Sequence, residues 1–427
     1  MFFVKDFVAE RSAYNVLKEI FLNKAYSSIV LDRALDNAPT HARAKITSLV
    51  YGVLEKSVRL DYIISQLAKK GVKNNIAVLL KLALYDLLYG NEPEYAVVKK
   101  YVDFAKDRFF GAHGFINATL RNAISVMIDD KNNDKKSLSL RFSLPEWVIE
   151  KFISDFGVER TIEILSADVP KMTHIRPNTR MISKEDFDAK IRNNYKNSEY
   201  LPTKYGYYVS HSILSGLNNG EYTAQSLASC IAVNLYVVGL KGKLSVLDLC
   251  SAPGGKAIYL EELLPDSEII ACDVHPHRTQ LIRSYASRMK SNVKPVVNDA
   301  TCMHEEWIEK FDLVVCDVPC TGSGLVLTSP DIMLFKTASD VETLNEIQFN
   351  ILLTSANYVK KDGILVYSTC SLFNDENERV VNKFLGKRSD FEILQTLSEN
   401  CNESGMTRLF PDKDGSDGFF VTRFIRK

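Results

Sequence analysis

The chain has 427 residues, 46% hydrophobic and 25% charged, which excludes a disordered chain and is more than one ordinary core holds, so two or three domains are expected. Formal net charge is zero, but residues 1–140 carry 21 Lys+Arg against 15 Asp+Glu, a net of +6 that the remainder balances with −6. A basic N-terminal part beside an acidic remainder points to a polyanionic partner.

The opening "MFFVKDFVAERSAYNVLKEIF" sets Lys5, Asp6, Glu10 and Arg11 into an apolar pattern, so it reads as an amphipathic helix and not as a secretion signal. "AKITSLVYGVLEKSVRLDYIISQLA", "NNIAVLLKLALYDLLYG", "AVVKKYVDFAKDRF" and "FINATLRNAISVMI" continue with apolar residues at helical spacing. An all-α bundle is expected over 1–130. The polar stretch "DDKNNDKKS", 129–137, reads as a linker. "LPEWVIEKFISDFG" then starts a helix with Pro145 near its N-terminus. "THIRPNT" reads as a short strand, and "SKEDFDAKIRNN" as a helix capped by Ser183, which makes a small α/β segment over 141–235.

From 236 the pattern is strand–helix alternation. "KLSVLDLC", "EIIACDV", "VKPVV", "FDLVVCDV" and "GILVYSTC" are short β-branched runs with helical stretches between most of them. This predicts a parallel sheet wound with helices on both faces. "FEIL" and "GFFVTRFIRK" are expected as edge strands, antiparallel to the rest. No apolar stretch reaches the ~18 residues of a membrane span, so a cytoplasmic chain without a membrane partner is expected. All eight cysteines lie at or after Cys230, in no pairing pattern, and His275 and His277 have no cysteine at ligand spacing. Reduced thiols and no metal are expected.

In "VLDLCSAPGGKAIYLEELL" a strand runs into a Pro-Gly-Gly turn and then a helix. Glycines there let the backbone approach a ligand, and the helix N-terminus offers free N–H groups. Asp273 ends the next strand, where an acid accepts from ribose hydroxyls, and Asp299 follows the strand after it, within reach of an adenine amino group. The spacing is neither GxGxxG nor GxxxxGK[ST]. The set fits a nucleoside cofactor such as S-adenosylmethionine.

Two cysteines also end strands. "FDLVVCDVPCTGSG" sets Asp317, Pro319 and Cys320 at the carboxyl edge, where methylases of exocyclic amino groups carry an aromatic residue after Asn/Asp-Pro-Pro. A thiol there suits carbon 5 of a pyrimidine, a poor nucleophile until sulfur adds to carbon 6. Asp317, if protonated at that moment, could bond ring N3. Cys370, in "VYSTCSLFNDENE", ends another strand at the same edge. Two thiols at one mouth allow one to attack and the other to assist release. Cys230, Cys250, Cys272, Cys302, Cys316 and Cys401 read as structural. Lys99, Lys100, Lys106, Arg108 and Arg176 are candidates for phosphate contacts.

"DLCSAPGGK", "DVPCTGSG", "STCSLFNDENE" and "DGFFVTRF", in this order, resemble the RNA cytosine-5 methyltransferases of the NOL/NOP/Sun group. "LVYGVLEKSVRLDYII", "LLKLALYDLLY" and "FINATLRN" resemble a NusB-type RNA-binding domain. The resemblance covers nearly the whole chain. It implies an all-α NusB-like domain (1–130), a small α/β RNA-binding subdomain (141–235) and a Rossmann-like catalytic domain (236–427). It implies Cys370 as nucleophile and Cys320 as the thiol that assists release. The cofactor positions it implies are Cys250, Ser251, Ala252, Pro253, Gly254, Gly255, Lys256, Asp273, Asp299 and Asp317. The substrate it implies is 16S ribosomal RNA, naked or in an early small-subunit particle, acted on by a monomer; the alternatives are a tRNA methylase and a non-catalytic assembly factor. The chain departs from the group at Val318 and Thr321 around Pro-Cys, where Ala and Ser are usual. It also departs at Ser226, where Asp is common, and in "LVLTSPDI", which has no Arg or Lys before Pro330-Asp331.

Overall fold

The computed structural model describes residues 7–210, 213, 214, 217, 220–395 and 405–427. These form two compact units, one running to Ser154 and including Pro330–Lys336, the other formed by Asp155–Ser329 and Thr337–Lys427. Among the described residues no helix is long and apolar enough to cross a membrane.

The first unit is helical. Seven helices, Val8–Asn23, Ser27–Asp36, Thr40–Glu55, Ser57–Leu67, Asn74–Tyr89, Glu94–Arg108 and His113–Ala123, surround one core. Asn74–Tyr89 is the central one, with Val78 through Leu84 all buried, because its sequence is apolar nearly all round. Thr40–Glu55 crosses it closely at Gly52, where a Cβ would meet the Tyr85 ring at 1.9 Å. Lys100, expected to reach phosphate, is buried instead. Its Nζ sits 2.6 Å from Asp86, 3.0 Å from Glu92 and 3.2 Å from Glu10, three carboxylates that neutralise it in place of solvent. The linker expected at 129–137 is shorter, since a helix starts at Lys135. The Asp134 carboxylate accepts from the amides of Lys136 and Ser137 and so caps it. Leu334 and Phe335 pack on the helical core, Phe335 edge-on to Phe21.

The second unit holds two sheets. In the smaller, strands β1 (Thr173–Pro177), β2 (Tyr200–Thr203), β3 (Gly206–Val209) and β4 (Tyr222–Ala224) pair antiparallel in the order β2-β3-β1-β4. Only β1 was legible in the sequence. The helix Lys184–Asn194 beside it is capped as expected, Ser183 Oγ accepting from the Asp186 amide at 3.0 Å.

The larger sheet contains β5 (Ser245–Asp248), β6 (Glu268–Asp273), β7 (Lys294–Val297), β8 (Phe311–Asp317), β9 (Val359–Thr369), β10 (Phe391–Ile393), β11 (Thr407–Leu409) and β12 (Phe419–Arg426). Its order is β10-β12-β9-β8-β5-β6-β7, with β11 also on β12. Strands β5 to β9 are parallel, as predicted. Val246, Leu313, Val315, Ile364 and Val366 join the core on one face. Leu247, Val314, Cys316, Leu365 and Tyr367 join that on the other. Burial on both faces explains why these strands read as unbroken apolar runs. The segment "GFFVTRFIRK" is not an edge strand: β12 lies between β9 and β10, antiparallel to both, and its paired backbone on both sides is why it is so apolar. Strand order reverses between β5 and β8, so a crevice opens at their carboxyl ends.

Candidate active site

Five strand ends meet at that crevice. After β5 the chain turns through Pro253 and Gly254 into the helix Gly255–Leu263. Gly254 has φ +108°, and a Cβ there would also press on Ile282 at 3.2 Å, so glycine is required on two counts. Asp248, the last residue of β5, is fully buried; the Ser251 hydroxyl and the Cys250 amide lie beside its carboxylate, but among the described residues neither oxygen has a well-aligned hydrogen bond. Burial pushes its pKa up to about 7. The Asn298 side chain, at the end of β7, is likewise buried with both amide atoms unpartnered. Orphaned polar atoms of this kind are rare in proteins and call for a polar partner, whether an ordered water or a ligand.

Asp273 ends β6. Its Oδ1 accepts from the His275 amide at 3.0 Å, and its Oδ2 lies 3.3 Å from Arg278, whose other nitrogen donates to the Ala252 carbonyl. Arg278 thus ties the β6 acid to the loop after β5. Asp299 is exposed and accepts from the Thr301 amide and hydroxyl at 2.9 and 2.7 Å; these bonds hold its pKa below the usual range.

At the end of β8, Asp317 accepts from Ser368 Oγ at 2.9 Å and pairs with Lys256 Nζ at 2.8 Å. Ser368 is held in turn by the buried Tyr236 hydroxyl at 2.6 Å. Burial works against the charge of Lys256, but Asp317 beside it more than compensates and leaves its pKa above the ordinary value. Cys320 and Cys370 then face each other, Sγ to Sγ 3.0 Å, and both are half-buried. The Cys320 thiol is held well above its usual pKa, first by its hydrogen bond to Cys370 and then by burial.

The glycines of "TGSG" and "DGFF" explain how these ends approach. Gly324 donates its amide to the Cys370 carbonyl at 3.0 Å, and Gly418 donates to the Gly324 carbonyl at 2.9 Å. A Cβ on Gly324 would lie 2.2 Å from the Gly418 oxygen. Behind the thiols lies Glu376, wholly buried. Its carboxylate accepts from the Thr321 amide (2.8 Å) and hydroxyl, from Gln348 Nε2 (3.0 Å) and from Ser371 Oγ.

The structure therefore brings Cys320, Cys370, Asp317, Lys256, Asp273 and the loop Cys250–Gly255 to one edge, with Asp299 at its outer end. Sequence reasoning missed Asp248, Asn298, Ser368, Tyr236 and Glu376. Of these, Asp248 in "DLCSAPGGK" and Ser368 and Glu376 in "STCSLFNDENE" stood in stretches that mark strand ends with chemistry; Asn298 and Tyr236 did not. Arg176, expected to touch phosphate, is 1% exposed and bonded by Nη1 to both Glu262 oxygens at 2.8 Å, because it sits between β1 and the helix after the cofactor loop. Cys230, Cys272 and Cys316 are buried, but Cys302 is exposed. Cys401 lies outside the described residues. Ser226, where Asp is common, does an aspartate's capping work: its Oγ accepts from the Ser229 amide at 3.2 Å at the start of Leu227–Tyr236.

Residues 236–425 match the model of the 16S rRNA methyltransferase RsmB/F family, and residues 9–125 match the NusB family. Residues 236–425 thus belong to the RsmB/F methyltransferase family and residues 9–125 to the NusB family. A Bacillus subtilis relative, "Probable ribosomal RNA small subunit methyltransferase B", is 29% identical over 97% of this chain and 98% of its own. The "Ribosomal RNA small subunit methyltransferase B" of Photorhabdus laumondii is 28% identical over 94% of each chain. In fold, the chain is similar to the crystal structure of PH0851, with a TM-score of 0.82 at 23% identity over 97% of this chain and 98% of that one.

The cofactor of this RsmB/F family domain is S-adenosylmethionine. The residues present fit it. The Gly254–Gly255 turn allows close approach, the helix N-terminus offers N–H groups, and Asp248 and Asn298 wait for polar partners.

Proposed function

We propose that this protein methylates C5 of a cytosine in 16S ribosomal RNA through a covalent Cys370–C6 adduct. The observation that carries the reading is the pair of half-buried thiols, 3.0 Å apart, next to the Lys256–Asp317 pair. One cysteine would serve a simple thiol adduct. Two, hydrogen-bonded at the same mouth, suit a reaction in which sulfur must both attack and leave. The names of the relatives support small-subunit ribosomal RNA as the substrate. The NusB domain supports an RNA partner.

The target base leaves its stack to reach the crevice. Cys370 gives up its proton to solvent and its Sγ bonds to C6; the electron pair displaced from C5=C6 makes C5 enamine-like, and N3 takes up a proton passed from the Lys256 ammonium through Asp317. S-adenosylmethionine, held by the loop after β5 and the ends of β6 and β7, would supply the electrophilic methyl group to which C5 bonds. C5 then gives up its proton, the S–C6 bond breaks, and the C5=C6 bond returns with the Cys370 thiolate.

The thiol–thiol hydrogen bond orders these events. While Cys370 is free it holds the proton on Cys320. Once Cys370 is a thioether it is a poor acceptor, and that hold on the Cys320 proton is gone. Cys320 then loses its proton to solvent and, as the thiolate, serves as the base that removes the C5 proton.

The test uses purified protein, tritiated S-adenosylmethionine and unmodified 16S RNA, with tRNA and small-subunit particles as further arms. Cys370→Ala is expected to make no 5-methylcytosine, and Cys320→Ala to accumulate a covalent RNA adduct. The reverse pattern would exchange the two roles. Methylation of tRNA alone, or of no RNA by the wild type, would sink the proposed substrate.

A further inference from the structure

We propose that Glu376 is the positioning residue that sets the spacing of the two thiols; this deepens the two-thiol reading above and rests on it. The residues that directly follow the cysteines, Thr321 and Ser371, both donate their hydroxyls to the same oxygen, Oε2 of Glu376. The other oxygen, Oε1, accepts from the Thr321 amide at 2.8 Å and from Gln348 Nε2 at 3.0 Å. Gln348 also donates to the Pro319 carbonyl at 2.9 Å, on the other side of Cys320. One carboxylate therefore grips the backbone around Cys320 and the turn after Cys370 at once.

The β8–β9 ladder cannot set this spacing. Its last register pair is Asp317 with Ser368, and both thiols lie beyond it. A carboxylate buried without exposure is costly unless hydrogen bonds satisfy it. Here donors from three separate stretches of chain do so, and they converge on the two cysteine loops. The backbone carbonyl of Glu376 accepts from the Tyr367 hydroxyl, which fixes the clamp to β9 itself. Glu376 touches no reacting atom. It acts through the two loops, by keeping Cys320 where its proton can meet Cys370 and, later, where its sulfur can reach the C5 proton.

The experiment measures thiol spacing without RNA or cofactor. Full-length protein is equilibrated in glutathione buffers. One glutathione disulfide oxidises the two thiols to a Cys320–Cys370 disulfide, is reduced to two glutathione molecules, and receives the two thiol protons. The disulfide fraction, counted by mass spectrometry after alkylation, gives the effective concentration of one thiol at the other. Glu376→Ala is expected to lower it about tenfold or more, as the loss of charge-assisted hydrogen bonds to both loops allows the thiols to drift apart. Glu376→Gln, which keeps the shape and an acceptor oxygen, is expected to restore most of the loss. Thr321→Val, which removes one hydroxyl and keeps the amide, is expected to fall between.

With 16S RNA present, Glu376→Ala is expected to slow release of the adduct more than its formation. A folded Glu376→Ala with the wild-type effective concentration would overturn the proposal. If that variant does not fold, a wild-type effective concentration in Thr321→Val would overturn it equally. Failure of the methyl-transfer reading shows separately, as a wild type that makes no 5-methylcytosine, and leaves the thiol measurement intact.

Discussion

Removing Glu262 should unsettle the second unit more than any surface substitution. Arg176 donates through Nη1 to both Glu262 oxygens at 2.8 Å, through Nε to Gln225 at 2.7 Å, and stacks 4.0 Å over the Tyr259 ring. Both charged side chains are 1% exposed, so water screens little of the interaction. Taking one partner from a buried pair strands the other charge and costs about 3–5 kcal/mol. In a unit of this size roughly 2–4 °C of melting temperature accompanies each kcal/mol, so Glu262→Ala should melt roughly 6–20 °C lower. Glu268→Ala, which removes an exposed contact to Lys243 and Lys294 at 3.5 Å, should leave the melting temperature unchanged within error. Replacing both partners, Arg176→Met with Glu262→Leu, should recover most of the loss, since no charge is then left stranded. Calorimetry on the three variants decides it. A Glu262→Ala loss of under about 1 kcal/mol would refute the reasoning, because the stranded guanidinium would then be cheap. An Arg176→Ala variant that keeps its stability but binds RNA more weakly would return Arg176 to the phosphate role read from the sequence.

Two further outcomes follow from the site. Gly324→Ala places a methyl group 2.2 Å from the Gly418 carbonyl and 2.9 Å from that of Cys370, so it should displace the Cys370 turn. Methylation should fall at least about tenfold with a stability loss of about 1–3 kcal/mol, and wild-type turnover in single-turnover assays would sink this account. Asp248 is an acid whose folded pKa, about 7, lies above its ordinary value of 3.8, so the folded state holds the proton more tightly than the unfolded one. Its contribution to stability is complete below about pH 4 and is lost as pH rises toward about 7. Denaturant titrations from pH 4 to 8 should show that Asp248→Asn lacks this decline; parallel curves for the two proteins would remove the assignment.

Period and punctuation made much of the fold legible in advance. Unbroken β-branched runs spaced by helical stretches announced the five parallel strands, because a strand covered on both faces has no polar side to display. Helical spacing announced the bundle, and "SAPGGK", "VPCTGSG" and "STCS" announced which strand ends carry chemistry. The place of β12 inside the sheet was not legible, since pairing partners lie beyond any local pattern. Neither was the fate of the basic residues. Lys100 and Arg176 look like any solvated cation in the sequence, and only Glu10, Asp86 and Glu92 around the one, and Glu262 86 positions from the other, make burial tolerable.

By itself the sequence determined the order of elements and the identity of the reactive groups, because those depend on neighbours a few residues apart. The tertiary structure alone decided that two thiols fifty residues apart stand within 3.0 Å, and that one buried carboxylate holds both of their loops. The physical reason is that distances between strand ends are set by sheet order and by hydrogen bonds across loops, and neither leaves a periodic trace in the chain.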